Sequence, residues 1–92
     1  MEFAWDERKN RANVKKHGVS FETAMRVFDD PQHLTRQDRE VDGEPRWQTI
    51  GMVNGVLVMI VAHTVDEDEQ LIRIISARKA TRWERRVYAQ GE

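Results

Sequence analysis

Apolar residues along this chain recur with two different periods. Met1–Trp5 alternates, with Phe3 and Trp5 on one side and Glu2 and Ala4 on the other, which predicts a short strand. Asp6 is placed to cap a first helix running to Lys16 or His17, and Gly18 suits the residue just past its end. Ser20 caps a second helix, with Val19 and Ala24 spaced as a hydrophobic staple. Phe21, Ala24, Met25 and Phe28 form a core-facing stripe that Asp29-Asp30-Pro31 ends.

Residues 32–45 are polar and acidic, with a weak edge strand around His33–Gln37 and a turn at Asp42-Gly43-Glu44-Pro45. Arg46–Val53 and Val56–Val65 then flank Asn54-Gly55, the signature of a two-residue type I′ hairpin. Val56–Ala62 is apolar on both faces, as in a central strand. Beyond an Asp66–Glu69 turn, Leu71–Ser76 reads as a further strand. Thr81 and Glu84 form a capping box opening a last helix to about Gln90, with Trp83 and Val87 facing the core. The order β-α-α-β-β-β-β-α gives an α+β fold, a mainly antiparallel sheet with helices packed on it.

Composition narrows the class. Ninety-two residues make one small domain, 1–92, with 39% hydrophobic and 34% charged positions. The absence of Cys rules out disulfides and thiolate metal sites and fits a reducing compartment. The acidic N-terminal stretch is unlike a signal peptide, and the longest apolar run, Val56–Ala62, is too short to span a membrane. A cytoplasmic protein is expected.

The net charge of −1 conceals a segregation. Residues 1–28 carry six basic and four acidic side chains, residues 29–70 three and ten, and residues 71–92 six and two. The ends are thus basic and the middle acidic, and 11 of the 15 basic residues are Arg, whose planar fork suits phosphate. This pattern favours an anionic ligand at the chain ends and a basic partner for the middle, against the alternative of ordinary solvated surface.

Pairing Val53 with Val56 in the hairpin would set Arg46 opposite His63 and put both on one face with Gln48. An imidazole beside a guanidinium can serve acid–base chemistry on a phosphodiester. The competing reading is a strand-end histidine satisfied by backbone or by Arg46. Arg73, the one charge within Leu71–Ser76, needs an anion, a carboxylate or an exit to solvent, and its face is not fixed by pattern alone. Arg78 and Lys79 precede the last helix, where free N–H groups favour phosphate, and Arg82, Arg85 and Arg86 follow. Lys9, Asn13 and Lys16 share one stripe of the first helix, ended by His17, and suggest RNA contact. Each of these sets has a structural alternative as surface, cap or ion pair.

The sequence contains no glycine-rich phosphate loop, HExxH or EF-hand pattern, and its acidic turns carry no His at ligand spacing. No metal or cofactor is expected. Hydrolysis would proceed by attack of a 2′-OH on the adjacent phosphate, stabilised by Arg and Lys, and would require RNA. The alternative is a non-catalytic nucleic-acid- or protein-binding module.

Two ordered motifs resemble a known family. Trp5-Asp6, Lys9, Asn13, Lys16-His17-Gly18-Val19-Ser20-Phe21, Ala24 and Phe28 resemble the N-terminal motif of BrnT-type ribonuclease toxins. Arg73-Ile74-Ile75-Ser76-Ala77-Arg78-Lys79-Ala80-Thr81, Glu84-Arg85 and Tyr88 resemble their C-terminal motif. The resemblance implies a RelE-like fold and RNA cleavage that blocks translation. It also implies neutralisation by a BrnA-like antitoxin in a 2:2 heterotetramer that touches operator DNA only through the antitoxin. On this reading Arg46, His63, Arg73, Arg78 and Lys79 are the candidate catalytic residues. Lys9, Lys16, His17, Arg82 and Tyr88 are candidate RNA contacts, with Tyr88 stacking or donating a proton.

Overall fold

The computed structural model describes residues 1–91. Asp6 accepts a hydrogen bond from the Arg8 amide and starts α1 (Glu7–His17), which follows the short strand β1 (Glu2–Ala4). Gly18 closes the helix in the left-handed region, at φ 74°. Ser20 caps α2 (Phe21–Ala24), which tightens at once into a 3-10 helix, Met25–Asp29. With about three residues per turn, that tightening aligns Val27 with Ala24. Val27, outside the stripe read from the sequence, is therefore fully buried, whereas Met25 and Phe28 are partly so.

Four longer strands follow: β2 (Leu34–Val41), β3 (Glu44–Val53), β4 (Leu57–Asp66) and β5 (Leu71–Lys79), then α3 (Arg82–Gln90). The sheet runs β1-β5-β4-β3-β2, antiparallel except for the parallel pair β1–β5. This is the single α+β domain expected. The edge strand β2 is longer than His33–Gln37, and its charged residues and register shift between Gln37 and Glu40 discourage further pairing.

The sheet is covered on both faces. On one, α1, α2 and the 3-10 helix enclose Val19, Phe21, Ala24, Val27, Val53, Met59, Val61, Ile72, Ile74 and Ala77. On the other, α3 covers a smaller cluster of Val58, Ile60 and Ala80, with Ile50, Met52 and Tyr88 against it. Two close fits hold the larger layer. The Asn13 carboxamide accepts from the Ala77 amide and donates to the Ala77 and Val19 carbonyls, so one side chain bonds the edge of β5 beyond the end of β1. Asn13, grouped by sequence with Lys9 and Lys16, is thus a buried clamp.

At the second close fit, a Cβ on Gly51 would sit 2.8 Å from the Val27 carbonyl oxygen, so the 3-10 helix rests directly on the β3 backbone. Gly51→Ala must push this contact apart, and we expect a loss of about 1–3 kcal/mol in urea unfolding. An unchanged midpoint would show that the helix can shift freely.

Candidate functional site

The strand register decides which side chains share a surface. β3 and β4 pair as Trp47↔His63, Gln48↔Ala62 and Ile50↔Ile60, one residue away from the pairing expected. The cause is the turn. Asn54 and Gly55 adopt left-handed φ values of 56° and 69°, and the Val56 amide bonds the Val53 carbonyl, but pairing resumes only at Val53↔Leu57. Val56 is an extra, exposed residue, and a one-residue slip moves every side chain to the opposite face. Arg46 and His63 are therefore not neighbours.

His63 faces the larger core and is 1% exposed. Its Nε2 bonds the Thr49 hydroxyl at 2.8 Å, which bonds the Thr35 hydroxyl at 2.7 Å. The Thr64 carbonyl, 3.4 Å from Nδ1, can only accept, so Nδ1 carries the proton and Nε2 accepts from Thr49. Phe28 packs edge-on against the ring at 5.1 Å. Burial lowers the imidazole pKa below its ordinary 6.5, keeping it neutral. This is a satisfied core histidine, out of reach of a bound phosphodiester.

Arg46 lies on the opposite face, the α3 face, in a series of cross-strand rows. One residue beyond Trp47↔His63 stand Arg46 and Thr64, and Thr64 pairs with Arg73. Arg46 and Arg73 thus flank buried Thr64, two strand spacings or about 10 Å apart at Cα. The next row is Arg36, Gln48, Ala62 and Ser76, and the next Leu34, Ile50, Ile60 and Arg78. Arg36 and Ser76 were not singled out by sequence, because only the observed register makes them neighbours of Gln48. The bulge that inserts Ile75, between Ala62↔Ser76 and His63↔Ile74, lets Arg73 and Ser76 point the same way. Arg46 Nε is buried with no hydrogen-bond partner.

Other expected site residues are elsewhere. Arg78 is tied to Glu84 by two bonds of 2.8 and 2.9 Å, the only ion pair among the described residues. That pair, with the capping bonds of Thr81, brings the Glu84 carboxyl down to about 2. Arg78 therefore fastens α3 and does not stand free for phosphate. Lys79 alternates to the far face, since it pairs with Met59 of the larger core. Lys9, Lys16 and His17 sit on α1, across the sheet from Arg46 and Arg73, so a single site cannot include both groups. Arg82 is exposed at the start of α3.

Tyr88 is held by Asp30, whose Oδ2 accepts from the Tyr88 hydroxyl and the Met52 amide, while Oδ1 accepts from Gln32. Burial and this bond push the Tyr88 pKa up to about 12, opposite to what a proton donor needs. Desolvation acts to raise the Asp30 pKa, but its three hydrogen bonds outweigh it and the net shift is downward. Trp83, expected to face the core, is 64% exposed. Glu84 and Tyr88, four residues apart, take the sheet-facing side of α3, and Trp83 is turned about 100° from Glu84. It lines a groove of about 170 Å3 with Leu34, Arg36, Gln48, Ile50 and Val87.

A protein-family model described as the ribonuclease toxin, BrnT, of a type II toxin–antitoxin system matches residues 5–84. This chain belongs to the BrnT toxin family. The crystal structure of the Brucella abortus BrnT ribonuclease toxin is similar, with a TM-score of 0.67 and 25% identity, over 89% of this chain and 99% of that one. Comparison with curated protein sequences gives no match. BrnT membership makes the chain a toxin of the ribonuclease class and implies an antitoxin partner. The family match ends at Glu84, so Tyr88 and the second half of α3 lie beyond it.

The His63 environment carries a sign that can be measured. As pH falls through about 6.5, the unfolded chain takes up a proton that buried His63 refuses, so stability falls with it. We expect the urea midpoint to drop between pH 7.5 and 5, and His63→Gln to flatten that drop. A wild-type slope that survives the substitution would place the titrating group elsewhere.

Proposed function

We propose that this BrnT-family chain is a metal-independent endoribonuclease whose active surface is the α3 face of the sheet, centred on Arg46 and Arg73. The observation that carries the reading is Arg46 itself, half-buried, with an Nε that has no protein partner. A buried guanidinium donor without an acceptor costs stability, and a phosphate oxygen is a fitting acceptor. Arg73, in the same row, supplies a second fork on the other side of Thr64.

The residues suggest a simple division of labour. The ribose 2′-OH attacks the adjacent phosphorus, the bond from phosphorus to O5′ breaks, and a 2′,3′-cyclic phosphate and a 5′-OH result. The two guanidinium groups hold the non-bridging oxygens as charge grows on them. All three histidines are elsewhere: His63 is inside, His17 ends α1, and His33 packs on Phe28. The 2′-OH proton is accordingly passed to water, water returns one to the departing O5′, and electrostatic stabilisation and positioning supply the acceleration.

The antitoxin is expected to be BrnA-like and to assemble with the toxin as a 2:2 complex in the cytoplasm. The acidic turns give a basic partner a place to dock. Asp42, Glu44 and Asp66 to Glu69 lie in the β2–β3 and β4–β5 turns, at the same end of the sheet.

Antitoxin-free protein incubated with RNA in EDTA, with and without ribosomes, should give 2′,3′-cyclic phosphate ends. Arg46→Ala/Arg73→Ala should lower the rate about a hundredfold or more, while His63→Gln should spare it. Intact RNA in every condition, with binding retained, would favour a non-catalytic module. Full activity of the double variant would move the site off this face.

A further inference from the structure

We propose that the groove between α3 and strands β2 to β4 is a nucleobase subsite, in which Trp83 stacks on one base of a single-stranded RNA and Gln48 hydrogen-bonds its edge. The inference rests on the ribonuclease reading above and names what that site would recognise beside the phosphate.

The groove begins where the arginine row ends. Gln48 is two residues from Arg46 along β3, about 7 Å, and in cross-strand register with Arg36. Its walls divide by chemistry. Leu34, Ile50, Ile60 and Val87 are apolar, Trp83 offers an indole that is 64% exposed, and Gln48 and Arg36 bring polar ends to the same space. A nucleobase has this mixed character, two apolar faces bounded by an edge of donors and acceptors. The Gln48 amide carries both a donor and an acceptor and can match such an edge.

Charge also sets the direction of the strand. On the side of Arg46 and Arg73 away from α3 are the turns holding Asp42, Glu44, Asp66, Glu67, Asp68 and Glu69. A polyanion gripped at the arginine row is repelled at that end of the sheet. It therefore leaves the other way, over Gln48 and past Arg36 toward Trp83. Alternating cationic and aromatic side chains along one track are how proteins hold single strands. Glu84, also on the groove wall, is engaged by Arg78 and Thr81, so its charge is already compensated.

The test is equilibrium binding of labelled 2′-O-methyl oligonucleotides of each base, which lack the attacking hydroxyl and report recognition without cleavage. Trp83→Ala should weaken binding about tenfold, and Trp83→Phe should restore most of it, because a ring of either kind can stack. Gln48→Leu should change the ranking of the four bases, with the arginines still in place. Trp83 is exposed, so unchanged thermal midpoints are expected to accompany these shifts. Equal affinity of wild type and Trp83→Ala would overturn the subsite while leaving the ribonuclease reading intact. Loss of antitoxin binding in Trp83→Ala with RNA affinity unchanged would also overturn it and make the groove a protein-docking face. Failure of the wild type to cleave RNA at all would strike the reading beneath instead.

Discussion

One hydrogen bond between buried side chains, from the Thr49 hydroxyl to His63 Nε2, marks the constraint on which the proposed functional surface depends. It forms only in the register Trp47↔His63 that the turn sets, within a core that includes Val61 and has Phe28 packed against it. Because side chains alternate, the same pairing that turns His63 inward turns Arg46 and Gln48 outward. A slip of one residue would put Arg46 and His63 on one face, so that keeping the β4 side chains in the core would bury the guanidinium beside the imidazole. The cost of an unpaired charge in that layer makes such a slip strongly unfavourable. The hairpin accommodates this register by leaving Val56 as an unpaired, exposed residue.

The two sides of the sheet then serve different ends. The face under α1, α2 and the 3-10 helix is closed by apolar packing, by the Asn13 clamp and by the fit of Gly51 against Val27. The other face has only α3, nine residues long, fastened by Arg78–Glu84 near its start and by Tyr88–Asp30 near its end. Such a helix spans only about 13 Å, enough to cover Val58 and Ile60 but not the rows holding Arg46, Gln48 and Arg73. An uncovered half-sheet with arginines on it and an indole at its margin follows directly from the shortness of that helix.

Much of this fold was legible in the sequence, because caps and periodicity are local. Asp6, Gly18, Ser20 and the Thr81–Glu84 box all act where their spacing predicted. The order of strands and helices follows from the same signals. The site was legible only in part, since it depends on register, and register depends on whether a turn holds two residues or three. Asn54-Gly55 correctly announced a hairpin but said nothing about Val56, and that one residue separated Arg46 from His63. Arg73 was recognisable as the one charge in Leu71–Ser76, and Arg46 as the arginine that opens the hairpin. Arg36, Ser76 and the exposure of Trp83 were not, because they follow from pairings and helix rotation set by distant contacts. Local spacing also could not reveal that Arg78 and Tyr88 have partners within the fold.

On the proposed function, RNA is held on the α3 face and not along α1. Nitrogen–proton correlation spectra of the protein titrated with a 2′-O-methyl oligonucleotide test it most directly. Binding on the α3 face should shift the Arg46 and Arg73 side-chain Nε–H signals, the Gln48 amide and the Trp83 indole. The Trp5 indole, which bonds Glu7 beside α1, should stay still. Shifts concentrated at Trp5, Lys9, Lys16 and His17, with the arginine row unmoved, would contradict it.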